Sequence, residues 1–453
     1  MRALRIIALV AAAALLPSPS GAQEADALRR ELEQMRKQFE TVQQEYQRAM
    51  QQMSERLQRL EARPQSAAPT PAVVQAPTGG APTTLMDLAR PRPPFALSER
   101  RGAGQFLFDM GIAGDFVATL TRGNADTANA GTFAGRENRL FPREIEVSFF
   151  GQIDPYARGE VRIEAAEEFE DGERENHIGL SEAHLTLLTL PLGTQAKIGL
   201  MRNRFGLLNE RHQHDLPQID RPNALVRFFG EEQLVESGAE LSWLAPLPFY
   251  LQALVGVFNG DNEEAFGRGS LTSPLVTGRL RTFFELGDTS ALQLGVSVAS
   301  GDTDDELRNT ILGGDVKFKL TPAGYRHVLL TLAAEALYGR RSVDFRDDDG
   351  IRDDRTRYRA GWYTYAEVQP FRRWAFGARY DWTQFPVEPG REWALQPYVA
   401  FMPSEFLRFR LGYKHTERTH RISDDDGRGS GRIMDELLFQ ATFILGAHPA
   451  HPF

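Results

Sequence analysis

The chain has 453 residues, with 52 Lys and Arg against 61 Asp and Glu, a net charge of −9, no cysteine, 40 glycines and 29 phenylalanines. An acidic balance argues against a nucleic-acid partner, because affinity for phosphate backbones comes from clustered Lys and Arg. Zero cysteine excludes disulfides and a lipid-modified cysteine as an anchor.

Residues 1–22 read as a signal peptide: Arg2 and Arg5 precede an apolar run, Ile6 to Leu16, and Ser20-Gly21-Ala22 supplies small residues at the cleavage positions. That run is too short to span a bilayer as a helix, and no later segment approaches the ~18 apolar residues a membrane helix needs. Residues 23–63 are expected to form a periplasmic coiled coil. Leu28, Leu32, Met35, Phe39, Val42, Tyr46, Ala49, Met53 and Leu60 recur at steps of three and four among Gln, Glu and Arg. The alternative is an amphipathic helix docked on its own protein. Residues 64–99 carry eight prolines among Ala, Thr and Gly and read as an extended linker.

From residue 100 to 453 the period changes to two. Ile145, Val147 and Phe149 alternate with Glu144, Glu146 and Ser148, and Val161, Ile163 and Ala165 alternate with Glu160, Arg162 and Glu164. Trp362–Val368, Trp374–Trp382, Leu407–Lys414 and Leu437–Leu445 follow the same rule. Seven short turns are legible, at Asp154-Pro155, Leu190–Gly193, Ala245–Pro248, Leu286–Asp288, Thr321–Gly324, Gln369–Phe371 and Met402–Ser404. Between them lie eight longer polar stretches, roughly 121–139, 167–177, 202–235, 259–273, 301–309, 339–357, 383–392 and 415–432. Strict short–long alternation connects sixteen strands with both chain ends on the short-turn side. A sandwich lacks that alternation, and a propeller would show a per-blade repeat. The expected fold is therefore all-β: a 16-stranded antiparallel transmembrane β-barrel preceded by an N-terminal coiled-coil helix, in the outer membrane of a Gram-negative cell. Trp243, Phe249, Tyr250, Phe371, Trp374, Trp382, Trp393 and Phe406 near strand ends suit interfacial girdles.

The face opposite the apolar one is charged. Arg158, Arg162, Arg279, Arg281, Lys317, Lys319, Arg379, Arg408 and Arg410 are expected to line a wet pore, mixed with carboxylates that include Glu144, Glu146, Glu182, Asp315 and Asp381. The longest loop, 202–235, is expected to fold inward as a constriction carrying Arg202, Arg204, Arg211, His212, His214 and Asp215. Its stretch NERHQHDLPQIDRP is the chain's densest set of ligand-type side chains. His212, His214 and Asp215 are candidate ligands for a divalent metal, although the H-E-x-x-H spacing of helical zinc sites is absent. No G-x-S-x-G elbow is present, and Gly179–Ala183, the nearest approach, lies in a strand. The expectation is a non-enzyme without a cofactor.

The segment KIGLMRNRFGLLNE, Lys197 to Glu210, resembles the phosphate-selective porin O and P family, and the resemblance extends over roughly residues 100–453. Phe205 and Gly206 match that family's Phe-Gly step, while Arg204 stands where the family has proline. The resemblance implies a sixteen-stranded, commonly trimeric barrel admitting anions through a pore lined by Arg and Lys. The expected function is passive diffusion of small anionic, phosphate-like solutes. The expected partners are outer-membrane lipid, small ions or solutes and two further copies of the chain, with no nucleic acid. The alternative is an outer-membrane receptor or channel for a divalent metal such as zinc that uses the loop histidines.

Overall fold

The computed structural model describes residues 109–122, 133, 136–170, 173–346, 352–387, 389–419 and 433–446. The expected signal peptide, coiled coil and linker lie outside these residues. Sixteen strands follow one another along the chain. The first five are β1 (Asp109–Arg122), β2 (Leu140–Asp154), β3 (Ala157–Glu170), β4 (Glu173–Leu190) and β5 (Thr194–Arg202). After the long loop come β6 (Val235–Leu244), β7 (Tyr250–Phe258), β8 (Leu275–Leu286), β9 (Ser290–Asp302), β10 (Arg308–Leu320) and β11 (Leu330–Arg346). The chain continues through β12 (Arg352–Phe371), β13 (Trp374–Gln384), β14 (Arg391–Ser404), β15 (Leu407–Arg418) and β16 (Ile433–Gly446). Each strand pairs antiparallel with its sequence neighbours, and β1 pairs with β16 from Gly111↔Gly446 to Arg122↔Asp435, closing the barrel. Closure removes the exposed edges that an open sheet would present.

The period-two pattern sorts residues between the faces. On β9, Leu294, Val296 and Val298 are exposed outward, Val296 to 56%, while Gln293 and Ser297 are buried inward. On β8, Val276 and Leu280 face out and Thr277 and Arg279 face in. An apolar exterior around a polar interior suits hydrocarbon outside and water within, the reverse of a soluble barrel. Aromatic side chains gather near both rims. Trp374 packs on Phe401 beside one end of β13, and Tyr380 stacks with Trp393 toward the other.

All seven expected turns fall at or beside a short connection, and the expected long loop at 202–235 is the connection between β5 and β6. Two other expected loops are corrected. The stretches 167–177 and 339–357 are mostly strand: β3 and β4 stay paired to Glu170↔Glu173, and β11 and β12 to Arg346↔Arg352. Both stretches are rich in charged residues, and that polarity resembled a loop.

Candidate functional site

The loop between β5 and β6 folds into the barrel. At its base, Asn203 N–H donates to Leu234 O at 2.9 Å, and Asn209 donates to the carbonyls of Asn203 and Leu234 while accepting from Leu234 N–H. Arg221, fully buried, braces the interior by donating to Leu208 O at 3.0 Å and Arg211 O at 2.7 Å. After Pro222 the loop forms one short helix, α1 (Asn223–Phe229), which ends at Gly230 with φ +76°.

One side of the loop is apolar. Phe205, Leu207, Leu208, Leu216, Leu225, Phe228 and Phe229 are buried with Phe258, Phe266, Leu275, Ile311, Leu337, Tyr363 and Tyr365. This is a core of the soluble-protein kind, built against the inner wall of β7–β12. Gly206 makes the turn possible. Its φ is +60°, and a Cβ there would stand 1.8 Å from Glu335 Oε1. Glu335 accepts from Leu207 N–H at 3.0 Å and Tyr363 Oη–H at 2.7 Å. The Phe205 ring in turn lies over Gly313, where a Cβ would approach it to 2.8 Å.

The other side of the loop is polar, and basic residues of the wall hold it. Asp220 accepts at Oδ1 from Arg379 at 3.1 Å and Gln396 at 2.7 Å, and at Oδ2 from Lys414 at 2.5 Å. Arg379 also donates to the Asp220 carbonyl at 2.7 Å, Arg410 to Gln218 O at 3.2 Å, and Arg408 to His214 O. Arg143 of β2 bridges Asp115 to the carbonyls of Ile219 and Gln213. Burial alone would raise the Asp220 carboxyl, but Arg379 and Lys414 hold it below its ordinary range.

These contacts locate the side chains expected to line the pore. Arg379, 0% exposed, and Arg410 point inward, yet face the loop. Arg279 is paired with Asp315 at 2.9 Å and Arg162 with Glu146 and Glu160 at 3.0 and 2.6 Å. Arg281 reaches Gln252 and Glu210, and Arg158 reaches Glu160 at 3.4 Å with its side chain 42% exposed. Lys317 and Lys319 stand within electrostatic reach of Arg211. At the loop's start, Arg202 donates to Glu232 O, and Arg204 donates to Glu240 at 2.7 Å.

His212 and His214 lie where the loop meets β2 and β4, each 1% exposed, with their rings stacked 5.7 Å apart. His214 Nδ1 lies 3.1 Å from Glu144 Oε1 and its Nε2 3.3 Å from Asp215 Oδ2, the carboxylates accepting, and its backbone N–H donates to Glu144 Oε2. His212 Nε2 lies 2.7 Å from Glu182 Oε1, and its Nδ1 lies 2.8 Å from Glu146 Oε2. Burial disfavours charge on both rings, and Arg202 adds to this at His212. The surrounding carboxylates outweigh these effects and raise both above the ordinary histidine value, His214 furthest. The set expected from sequence, His212, His214 and Asp215, is thus not one cluster. His214 and Asp215 pair with each other, and the potential ligand atoms that converge are those of His212, Glu144 and Glu146, all within 4.8 Å. The two glutamates are adjacent inward positions of β2. Their spacing was visible in the sequence, but their meeting with His212, some 70 residues on, was not.

No family model matches the chain. A protein of Aquifex aeolicus, described as "Uncharacterized protein", is 30% identical over 341 residues, which cover 68% of this chain and 69% of that one. The chain belongs to the family of this Aquifex protein. Solved structures similar to this member of the family include the outer membrane channel DcaP of Acinetobacter baumannii (10% identity, 75% of this chain and 96% of that chain, TM-score 0.48) and an anion-selective porin from Comamonas acidovorans (8% identity, 75% and 98%, TM-score 0.46).

Proposed function

We propose that the protein is an outer-membrane porin through which small hydrophilic solutes diffuse passively, with the loop 203–234 as its constriction. The observation that carries this reading is a closed barrel, apolar outside and charged inside, with that loop fastened across its interior. Buried charges without water or partners would cost several kcal/mol each, so the inner face suits a wet lumen narrowed by a fixed loop. Planar-bilayer recording of the purified protein tests it. Discrete ohmic steps are expected, and a folded sample that passes no current at any salt concentration overturns the reading.

Within that reading the permeant solutes are anions of the phosphate type, as membership of the phosphate-selective porin O and P family would imply. The gathering of Arg211, Lys317 and Lys319 supports this, while the many internal ion pairs make the bias modest. The sign of the reversal potential in a chloride gradient, then in phosphate, checks it. We further propose that residues 1–22 are removed on export and that residues 23–63 form a periplasmic coiled coil gathering three chains. Crosslinking with and without residues 23–63 reads that role. The alternative of a metal-transporting receptor is disfavoured, because His212 and His214 are buried between loop and wall, a position for a resident group and not one along a route of passage.

A further inference from the structure

We propose that Glu144 and Glu146 of β2, together with His212 of the inserted loop, form a resident site for a first-row divalent cation of the zinc type, which staples the loop to the barrel wall. This goes beyond solute passage: the ion is a fixed part of the molecule, and its presence is read independently of conductance.

Every potential ligand atom is aimed by a second contact. Glu146 Oε1 is already occupied by Ser148 Oγ–H at 2.6 Å and Arg162 at 3.0 Å, which leaves Oε2 turned toward the site. Glu144 is oriented by the backbone N–H and ring of His214. Glu182 Oε2 accepts from Arg202 N–H at 3.1 Å, and its Oε1 is the partner of His212 Nε2. Once the ring gives up its Nδ1 proton, Nε2–H still donates to Glu182 and Nδ1 presents a lone pair, the arrangement typical of metal-bound histidine. Two atoms at the centre support the assignment directly. His212 Nδ1 and Glu146 Oε2 are fully buried and 2.8 Å apart, yet neither makes a hydrogen bond of acceptable geometry. The two atoms form an ion pair while the ring is protonated, and a divalent cation that displaces the Nδ1 proton is met there by the lone pairs of both.

The donor set selects the ion. One imidazole and two carboxylates suit zinc and its neighbours, whereas calcium and magnesium prefer all-oxygen sites. Tetrahedral ligands at about 2.1 Å stand roughly 3.4 Å apart, so Nδ1 and Oε2 open by about half an ångström on binding. Three protein ligands leave one position for water. The ion would take the place of the His212 proton among Glu144, Glu146 and Glu182, beside the guanidinium of Arg162.

The test uses the full-length protein in detergent, stripped with chelator and titrated with zinc in a calorimeter. One ion per protomer is expected, with calcium and magnesium failing to compete. Glu146→Gln preserves shape and removes a ligand, and should abolish that stoichiometric event. Glu182→Gln should weaken it about 10- to 100-fold, as loss of an orienting partner does. Cobalt(II) bound to the unaltered protein should show the intense visible bands of a four- or five-coordinate nitrogen-containing site. That readout needs no variant and stands even if a substituted chain fails to refold. Absence of stoichiometric zinc binding, equal binding by Glu146→Gln, or a six-coordinate cobalt spectrum overturns the site.

Discussion

Asp220→Asn should loosen the inserted loop without disturbing the barrel. Asp220 is the one loop carboxylate that meets Arg379, Lys414 and Gln396 together, all from β13–β15. Removing one partner of a buried pair destabilises by about 3–5 kcal/mol, because the opposite charge is left behind. Here the lower end applies. Arg379 retains Asp381 at 3.0 Å, and Lys414 retains Asn223 Oδ1 at 2.8 Å. About 3 kcal/mol corresponds to roughly a 150-fold rise in the undocked fraction of the loop. Limited trypsinolysis after Arg211 and Arg227 should accelerate by about that factor, since cleavage of a transiently opened segment follows its population. Single-channel traces should gain long-lived openings of higher conductance, while the far-UV β signal stays unchanged. A variant with wild-type cleavage rate and wild-type traces would refute the assignment of Asp220 as the fastening point.

The same node sets an acid limit. The folded Asp220 carboxyl lies below its unfolded value of about 3.9. Its contribution is therefore complete above that value and is lost as pH falls through it toward the folded one. Loop cleavage by an acid-active protease should rise below about pH 4 in the wild type, and Asp220→Asn should lack that increment. Gly206→Ala forces a side chain into a left-handed conformation and against Glu335. A loss of about 1–3 kcal/mol is expected from the backbone alone, read as a lower thermal midpoint. Val296→Arg places a charge on the outward face of β9, at its midpoint. It should destabilise the barrel in bilayers by about 2–4 kcal/mol, measured by urea titration, and by far less if that face met water.

The barrel was legible because each membrane strand must alternate, and because Pro, Gly and Asp mark the tight connections. Even the inserted loop was bounded to within a residue, since alternation stops at Arg202 and resumes at Val235. Alternation also assigned Arg379 and Arg410 to the inner face. It could not say that they would meet Asp220 and Gln218 and not open water, because those partners lie 159 and 192 residues away. Periodicity fixes which face a side chain takes, and contacts across the lumen depend on how the loop lies. For the same reason the histidines were noticed, while their pairing with Glu144, Glu146 and Glu182 was not.

The clamps on the loop come from both ends of the chain: Arg143 from an early strand, and Arg379, Arg408, Arg410 and Lys414 from late ones. The polar flank of the loop therefore has all its partners only when β2 and β13–β15 are in place, whereas its apolar flank needs only the wall of β7–β12. A cylinder deprived of β13–β15 would keep the apolar grip and Arg143 but lose the other basic clamps, so a fully seated plug requires strands from both halves of the chain.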